Sequence, residues 1–240
     1  MHDGALLFAQ YCINTHTRAY VSKDSCSEVT KMSPTTVVFD IGGVLIDWNP
    51  AYLYRKLLPD DATVSKFLAE VCTSAWNEQF DAGMLFADGI AELSARCPEH
   101  AELIEAYWSR WHEMLGGEVE GTPQILARLK SAGVPVHAIS NWSAETFPRA
   151  QSMFPFLNDF DVLVVSGRER LVKPDSAIFD LFLKRADARA EDCIFIDDNP
   201  ANIAAASRLG FQTEHFQTAA KLELRLTALG VLAPLEEIAG

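Results

Sequence analysis

The sequence predicts an α/β fold, a doubly wound parallel sheet with an all-α segment inserted after its first strand. Residues 37–39 are β-branched or aromatic throughout, as in a strand that a parallel sheet buries on both faces. Strand and helix patterns alternate after Gly121, which is typical of a parallel sheet. Residues 49–118 have helical spacing of apolar side chains and add no strand to that sheet.

The first predicted strand stops at Asp40, and a glycine pair follows closely. A charged group at the carboxyl end of a central parallel strand, next to glycines that let the backbone approach a ligand, lies where open α/β sheets bind ligands. An aspartate that merely caps a turn would have the same local sequence. This stretch alone therefore leaves both interpretations open.

The inserted segment is predicted to be helical because its apolar residues recur at three- and four-residue spacing. These residues are Tyr52, Leu53 and Leu57, then Phe67, Leu68 and Val71, then Leu103, Ile104, Tyr107, Trp108, Trp111 and Leu115. Between the second and third groups, residues 76–83 interrupt the stripe with polar and acidic side chains ahead of a glycine.

After Gly121 a helix is predicted to begin with Thr122 as N-cap and Pro123 in its first position, and to end at Gly133. The remaining elements are a strand at 134–140, a helix at 144–153, a strand at 161–166, a helix at 175–186, a strand at 193–197, a helix from Asn199-Pro200 to Gly210, a strand at 211–216 and a helix with Leu222, Leu226 and Leu229.

Composition excludes several classes of protein. The 240 residues are 49% hydrophobic and 22% charged, as in globular proteins. The net charge of -13 disfavours partners such as nucleic acid or an anionic membrane. Five cysteines, an odd number without a Cys-x-x-Cys pair, argue against a disulfide framework and indicate a reducing, cytoplasmic location.

Residues 1–34 are polar, rich in Ser and Thr and without sustained period, so a flexible extension is expected there. Their longest apolar stretch, residues 5–9, is too short for a membrane span and follows an acidic residue, so neither a signal peptide nor an anchor is predicted. The α/β core is then assigned to residues 35–48 and 119–240, and the helical segment to 49–118.

Three more segments with polar side chains lie at or just beyond predicted strand ends. They are Ala138-Ile139-Ser140-Asn141, Leu171-Val172-Lys173-Pro174 and Ile194-Phe195-Ile196-Asp197-Asp198-Asn199. Because the carboxyl ends of adjacent parallel strands share one crevice, the polar groups that end these strands should meet Asp40 there. With that aspartate they provide, in order, a carboxylate, a hydroxyl, an ammonium and paired carboxylates.

These four segments resemble the motifs of the haloacid dehalogenase-like hydrolase superfamily over about residues 37–216. The first motif, Phe-Asp-hydrophobic-Gly-x-Val, is similar to that of its phosphatase branch, such as the glucose-1-phosphate phosphatase-like and epoxide hydrolase N-terminal-domain-like phosphatases. The resemblance implies that residues 49–118 form a cap domain over the active site. Within that cap, Trp76 and Asp81 are expected either to line the substrate pocket or to belong to a helix end.

The resemblance also implies a Mg²⁺-dependent phosphatase. Asp40 would attack phosphorus and form an aspartyl-phosphate. The metal ligands would be the Asp40 carboxylate, the Gly42 carbonyl and Asp198, with Asp197 holding a metal-bound water or lying behind the ligands. Mg²⁺ suits such a set because it takes few protein oxygens and bridges to substrate phosphate.

The remaining motifs would bind the phosphoryl group. Lys173 is expected to pair with Asp40 and the transferring oxygens, whose negative charge must be neutralised. Ser140 and neighbouring backbone N–H groups would bind the same oxygens, and Asn141 would support them or contact substrate. The predicted ligand is a small phosphorylated metabolite; nothing in the sequence indicates the oligomeric state.

Two other functions remain as alternatives. A 2-haloacid dehalogenase also uses an aspartate nucleophile, but it needs no metal and typically lacks the acidic pair at 197–198. A catalytically idle binding or regulatory member of the fold would not need the nucleophile, lysine and carboxylates together. The sequence also has no His-Glu-x-x-His or Gly-x-Ser-x-Gly pattern, so a zinc protease or serine hydrolase is not predicted.

The sequence departs from most phosphatases of the superfamily at Gly42. Those phosphatases have Asp-x-Asp in the first motif, and the second Asp gives a proton to the leaving group. Glycine carries no such proton, so the acid must come from elsewhere or be missing. Asp47 and Asp81 are the candidate replacements, and both are also candidate substrate contacts.

Overall fold

A computed structural model describes residues 33–234. The described strands are β1 Thr36–Phe39, β2 Ile46–Trp48, β3 Leu115–Glu118, β4 Val136–Ser140, β5 Val162–Val165, β6 Cys193–Asp197 and β7 Gln212–His215. The helices are α1 Ala51–Tyr54, α2 Asp61–Glu70, α3 Ser74–Asp81, α4 Phe86–Arg96, α5 Ala101–Ser109, α6 Thr122–Ser131, α7 Phe147–Met153, α8 Ser166–Glu169, α9 Ser176–Ala186, α10 Pro200–Arg208 and α11 Ala219–Ala228. Short 3₁₀ turns are formed by Pro98–His100, Trp111–Met114, Pro155–Asn158 and Ala190–Asp192.

The main sheet has five strands in the order β5-β4-β1-β6-β7, and every neighbouring pair is parallel. β1 is central because its apolar side chains are completely buried on both faces. Val37 and Phe39 pack in one buried cluster with side chains of α6 and α11, whereas Val38 packs in a second cluster with side chains of α9 and α10. The predicted doubly wound α/β sheet is therefore confirmed.

The helical segment lies between the two strands of a small antiparallel sheet, β2 and β3. Helices α1 to α5 fill the interval, and buried aromatic side chains form their interior. Tyr54 packs at 4.6 Å from Phe67, and Trp76 packs at 5.0 Å from Tyr107, measured between ring centroids. The paired strands hold both ends of the segment beside the main sheet.

The predicted stripe from Leu103 to Leu115 is not one helix. α5 ends at Ser109, a 3₁₀ turn follows, and Leu115 begins β3. The glycine pair after Leu115 allows β3 to approach β2 closely: an added Cβ at Gly116 would lie 2.2 Å from Asp47 Oδ2.

Other boundaries also differ. Thr122 is not an N-cap but the first residue of α6, and its hydroxyl lies 2.7 Å from the Val44 carbonyl oxygen, to which it donates. Gly121, with φ +87°, takes the capping position. The short helix α8 was not predicted, because four residues are too few to show a period.

Of the predicted extension, residues 1–32 lie outside the described residues, and Pro34 is already buried beside β1. None of the helices within residues 33–234 combines the length and the apolar character that a membrane crossing requires.

Candidate active site

The candidate site lies at the carboxyl ends of β1, β4 and β6. A cavity of about 230 Å³ opens there between the sheet and the helical segment. Its lining residues are Asp40, Gly42, Gly43, Trp48, Asn77, Asp81, Phe86, Trp111, Asn141, Trp142, Ser143, Thr146 and Asp198.

The loop after β1 fixes the position of Asp40. The Ile41 carbonyl accepts hydrogen bonds from the N–H groups of Leu45 and Ile46 at 2.8 and 2.9 Å, which closes a tight turn. The Ile41 N–H in turn donates to Asp40 Oδ1 at 2.6 Å. The carboxylate is thus held at the strand end by its own backbone.

A buried lysine links two of the carboxylates. Lys173 Nζ lies 2.9 Å from Asp40 Oδ1 and 2.7 Å from Asp197 Oδ2. The side chains of Lys173 and Asp197 are fully buried, and that of Asp40 is 12% exposed. Burial acts to lower the pKa of Lys173, but the two carboxylates outweigh it and raise that pKa, so the ammonium stays charged.

Asn141 holds the lysine loop in place. Its Nδ2 donates to the Lys173 carbonyl at 2.9 Å, and its Oδ1 accepts from the Lys173 N–H at 2.8 Å. This pair of bonds joins the loop before α9 to the end of β4. Asn141 therefore positions Lys173 through its backbone and also lines the cavity.

The acidic pair divides into a buried and an accessible carboxylate. Asp197 accepts hydrogen bonds from the Asn199 N–H at 2.8 Å and from Asn202 Nδ2 at 3.0 Å, and it has no exposed surface. Asp198 lines the cavity above Gly43, whose φ is +74°. Burial, and then the charge of Asp197, raise the pKa of Asp198.

These carboxylates fit a hard divalent cation. Asp40, Asp197 and Asp198 each offer an oxygen, and the three oxygens lie within 4.8 Å of one another. Burial raises the pKa of Asp40; Lys173 opposes the rise and Asp197 adds to it. One ammonium does not balance three carboxylates, and a bound Mg²⁺ would add positive charge that favours the ionised form of Asp40.

Ser140 ends β4 beside this cluster. Its hydroxyl oxygen is completely buried and has no hydrogen-bond partner among the described residues. A buried hydroxyl without a partner is costly by about 1–3 kcal/mol. Ser140 does not line the open cavity, so it would meet a ligand only at the base of the site.

Asp81 reaches the cavity from the C-terminal end of α3. Its Oδ2 accepts from Asn77 Nδ2 at 3.0 Å, and the Tyr107 hydroxyl donates to Asn77 Oδ1 at 2.8 Å. Burial and the charge of Glu78 raise the pKa of Asp81 to about 7, against the effects of Lys173 and the Ser143 N–H. The helical segment thus brings a readily protonated carboxyl to the cavity.

Two predicted pocket residues lie elsewhere. Trp76 is buried inside the helical segment, where its ring packs at 4.7 Å from Phe80 and its indole N–H donates to the Gly89 carbonyl at 3.4 Å. Asp47 accepts a hydrogen bond from the Tyr52 hydroxyl at 2.6 Å. Asp47 is not among the described residues that line the cavity, although the adjacent Trp48 is.

Sequence reasoning missed most of the aromatic lining. Trp48, Phe86 and Trp111 each line the cavity, but Trp111 and Phe86 resemble ordinary core residues in their sequence context. Only Trp48 had a usable signal, because it is next to Asp47, which the sequence nominated as a site residue.

Comparison with protein families identifies the family of this chain. The family described as haloacid dehalogenase-like hydrolase matches residues 34–210. The chain belongs to the haloacid dehalogenase-like hydrolases. The resemblance that the four motifs carry is thereby confirmed.

Relatives of this hydrolase include phosphatases and dehalogenases. It is 30% identical over 191 residues to sesquiterpene phosphatase astK of Aspergillus oryzae, a match that covers 78% of this chain and 93% of the relative. It is 34% identical over 90 residues to (S)-2-haloacid dehalogenase of Pseudomonas fluorescens, covering 38% of this chain and 40% of the relative.

A solved structure has the same fold. A HAD family enzyme from Bacteroides thetaiotaomicron, in complex with magnesium and inorganic phosphate, aligns with a TM-score of 0.59 at 20% identity. The alignment covers 77% of this hydrolase and 95% of that enzyme. At this identity the comparison concerns the fold alone.

Proposed function

We propose that this hydrolase is a Mg²⁺-dependent phosphatase that hydrolyses small phosphomonoesters through an aspartyl-phosphate at Asp40. The observation that carries the proposal is the cluster of three carboxylates around one buried ammonium. With all four groups charged, the cluster has a net charge of about -2, which repels a phosphate dianion unless a divalent cation is bound. A site for carbon–halogen chemistry has no such need.

In this proposal the Asp40 carboxylate, the Gly42 carbonyl and Asp198 hold Mg²⁺, and Asp197 lies behind them. Mg²⁺ would neutralise phosphoryl oxygens and orient them for in-line attack. Asp197 is occupied by Lys173 and by the amides of Asn199 and Asn202, so it suits a supporting position better than a direct one.

The chain's own residues would divide the reaction into two steps. An Asp40 oxygen forms a bond to phosphorus while the ester O–P bond breaks, and the alcohol leaves with that electron pair. Lys173 and the unpartnered Ser140 hydroxyl stabilise the charge on the phosphoryl oxygens. Water then attacks phosphorus, releases phosphate and restores the Asp40 carboxylate.

The proposed proton transfer does not use position 42, which supplies the acid in most phosphatases of the superfamily. Gly42 carries no acid, whereas Asp81 lines the cavity and its pKa is raised to about 7. A general acid works best when its pKa lies near the operating pH. We assign Asp81 as the proton donor to the departing alcohol and as the base that later accepts a proton from water.

A second candidate function is 2-haloacid dehalogenation, which the match to (S)-2-haloacid dehalogenase favours. The same Asp40 would then attack a carbon that bears a halide. Asp198 argues against this function, because it adds a negative charge to the cavity that a haloacid carboxylate must enter.

The test measures phosphate release from 4-nitrophenyl phosphate with Mg²⁺ and with EDTA, and halide release from 2-chloropropionate. We expect Mg²⁺-dependent phosphate release that Asp40→Asn abolishes, because an amide keeps the shape but is not a nucleophile. Asp180→Asn, at an exposed position on α9, is the matched control. Halide release without phosphate release would establish the dehalogenase, and neither activity would favour an idle member of the fold.

We also propose a class of ligand and a cellular location for the enzyme. Its ligand is a small phosphorylated metabolite, not nucleic acid or a membrane. The cysteines at 72, 97 and 193 are free thiols, in keeping with a reducing, cytoplasmic location.

A further inference from the structure

The cavity is lined by two kinds of side chain. Asp40, Asp198 and the glycine loop after β1 line it at the carboxyl ends of the strands. Trp48, Phe86, Trp111 and Trp142, which come from four separate parts of the chain, form an aromatic wall. The phosphoryl group would bind next to Asp40, so the aromatic wall is left for the alcohol part of an ester.

We infer that the cavity selects phosphate monoesters of small, uncharged, apolar alcohols over sugar phosphates and bisphosphates. This inference rests on the proposed phosphatase activity and names the substrate class of the same site. The packing of the aromatic wall, the polar groups around it and the size of the cavity support the inference.

The aromatic wall is fixed before any ligand binds. The Trp142 ring lies 5.9 Å from the Trp111 ring and packs edge-on against Phe147 at 5.6 Å. Phe86 is stacked on Phe80 at 4.0 Å. Rings held by such packing present a rigid apolar surface, which binds apolar groups with little loss of conformational entropy.

Several polar side chains of the wall already have partners inside the protein. The indole N–H of Trp142 donates to Thr146 Oγ1 at 3.0 Å, so its polar edge is not free for a ligand. Asn77 is bonded to Asp81 and Tyr107, Asn141 to the Lys173 backbone, and the Ser143 hydroxyl oxygen accepts from the Glu145 N–H. Sugar hydroxyl groups would have to compete with these internal bonds, whereas an apolar group would not.

The charges around the cavity also favour an uncharged alcohol part. No Lys, Arg or His is among the described residues that line the cavity, and Lys173 is already enclosed between two carboxylates. A second phosphate or a carboxylate on the alcohol part would face Asp81 without a compensating cation. Charged alcohol parts are thus disfavoured.

The cavity also limits the size of the alcohol part. Its volume of about 230 Å³ is below the range of about 300–1,000 Å³ in which drug-sized ligands bind. Part of that volume must hold the phosphoryl group. An alcohol part of about one ring fits the remainder.

The experiment compares benzyl phosphate with glucose 6-phosphate and fructose 1,6-bisphosphate in the presence of Mg²⁺. Benzyl phosphate and glucose 6-phosphate are both esters of primary alcohols, so the comparison isolates recognition of the alcohol part. We expect kcat/KM for benzyl phosphate to be higher by about 10–10²-fold. Equal values, or a preference for either sugar phosphate, would overturn the inference and leave the phosphatase assignment intact.

A variant tests the aromatic wall directly. Trp48 is half-buried on the short strand β2, so it is the member of the wall that can be truncated with least harm to the core. Trp48→Ala should raise KM for benzyl phosphate by about tenfold and lower the ratio of kcat/KM for benzyl phosphate to that for glucose 6-phosphate. Phe160→Ala, at a half-buried aromatic residue before β5 and outside the cavity lining, is the control.

A binding measurement covers the case in which no ester is hydrolysed or Trp48→Ala does not fold. Calorimetry on the unaltered protein with Mg²⁺ compares benzylphosphonate with methylphosphonate, and we expect about tenfold tighter binding of benzylphosphonate. Equal affinities would refute the inference. Absence of hydrolysis of every ester would instead refute the proposed function, so the two failures are distinguishable.

Discussion

The carboxylate of Asp198 lies directly against the α-carbon of Gly43. A Cβ at position 43 would be 2.4 Å from Asp198 Oδ2, and the φ of +74° is itself unfavourable for other residues. Glycine at this position is therefore a condition for placing Asp198 beside Asp40. The neighbouring Gly42 is different, because a Cβ there would meet no atom of residues 33–234 within 4 Å.

Gly43→Ala should displace Asp198 and weaken Mg²⁺ binding, since the ion would lose one of few protein oxygens. We expect the Mg²⁺ concentration for half-maximal activity to rise by at least about tenfold. Gly42→Ala is the comparison variant and should cause a much smaller rise. Equal Mg²⁺ titrations for the parent and Gly43→Ala would show that the metal is held elsewhere.

Lys173→Met should destabilise the protein strongly, because Asp40 and Asp197 would remain buried without their cation. Removing one partner of a buried ion pair typically costs about 3–5 kcal/mol. Urea unfolding in metal-free buffer measures the loss. Lys56→Met, which breaks the exposed pair with Glu113, should cost far less; similar losses in both variants would contradict the ascribed role.

Asp81→Asn should change the pH dependence of stability. The folded-state pKa of Asp81 is raised from 3.8 to about 7, so its stabilising contribution is complete below about pH 4 and is lost as the pH rises through about 7. Asparagine does not ionise. The Tm of Asp81→Asn relative to the parent should therefore be higher at about pH 8.5 than at about pH 5.

The exposed Asp88 is the control for that comparison. Asp88→Asn should show no comparable change in relative Tm between the two pH values. A relative Tm of Asp81→Asn that does not vary with pH would mean that the carboxyl is not held in a destabilising environment.

Position 42 provides no acid, so protonation of the departing alcohol depends on Asp81 alone, and we expect activity to depend on the leaving group more steeply than in a phosphatase with Asp-x-Asp. Sugar 1-phosphates should be hydrolysed faster than sugar 6-phosphates, and aryl esters faster than alkyl esters. If Asp81 supplies the proton, Asp81→Asn should reduce kcat for alkyl esters by up to about 10²–10⁴-fold and affect aryl esters much less.

Asp47→Asn tests the second candidate acid, because the sequence nominated both Asp47 and Asp81. Asp47 is bonded to Tyr52 outside the cavity, so its substitution should leave the leaving-group dependence unchanged. A series of phosphomonoesters measures kcat/KM for each variant. A flat dependence in the parent would indicate that a replacement acid is already fully effective.

Gly42→Asp should increase the hydrolysis of alkyl phosphates. A Cβ at this position meets open space, so a carboxyl can be added without displacing a neighbour. It would restore the second acid of Asp-x-Asp, and we expect at least about a tenfold gain in kcat for alkyl esters. Gly42→Asn, which has the same shape without the proton, should show no gain; equal effects of both variants would exclude acid catalysis as the cause.

The sequence by itself determined the fold class, the central strand and the positions of Asp40, Asp197 and Asp198 at strand ends. These features are local, since burial on both faces and the direction of a strand are expressed in consecutive residues. The glycine pair after Leu115 was also visible, but the close approach of Gly116 to Asp47 was not, because it involves a residue far away in the chain.

Only the tertiary structure decided which side chains face the cavity. Lys173 lies in a loop without periodicity, and its place between two carboxylates depends on the packing of three separate segments. In the sequence Trp111 resembles a core residue and Trp76 a candidate pocket residue, yet Trp111 lines the cavity and Trp76 does not. A side chain's direction depends on register and on neighbours distant in sequence, so local patterns predict an element but not the partner that it meets.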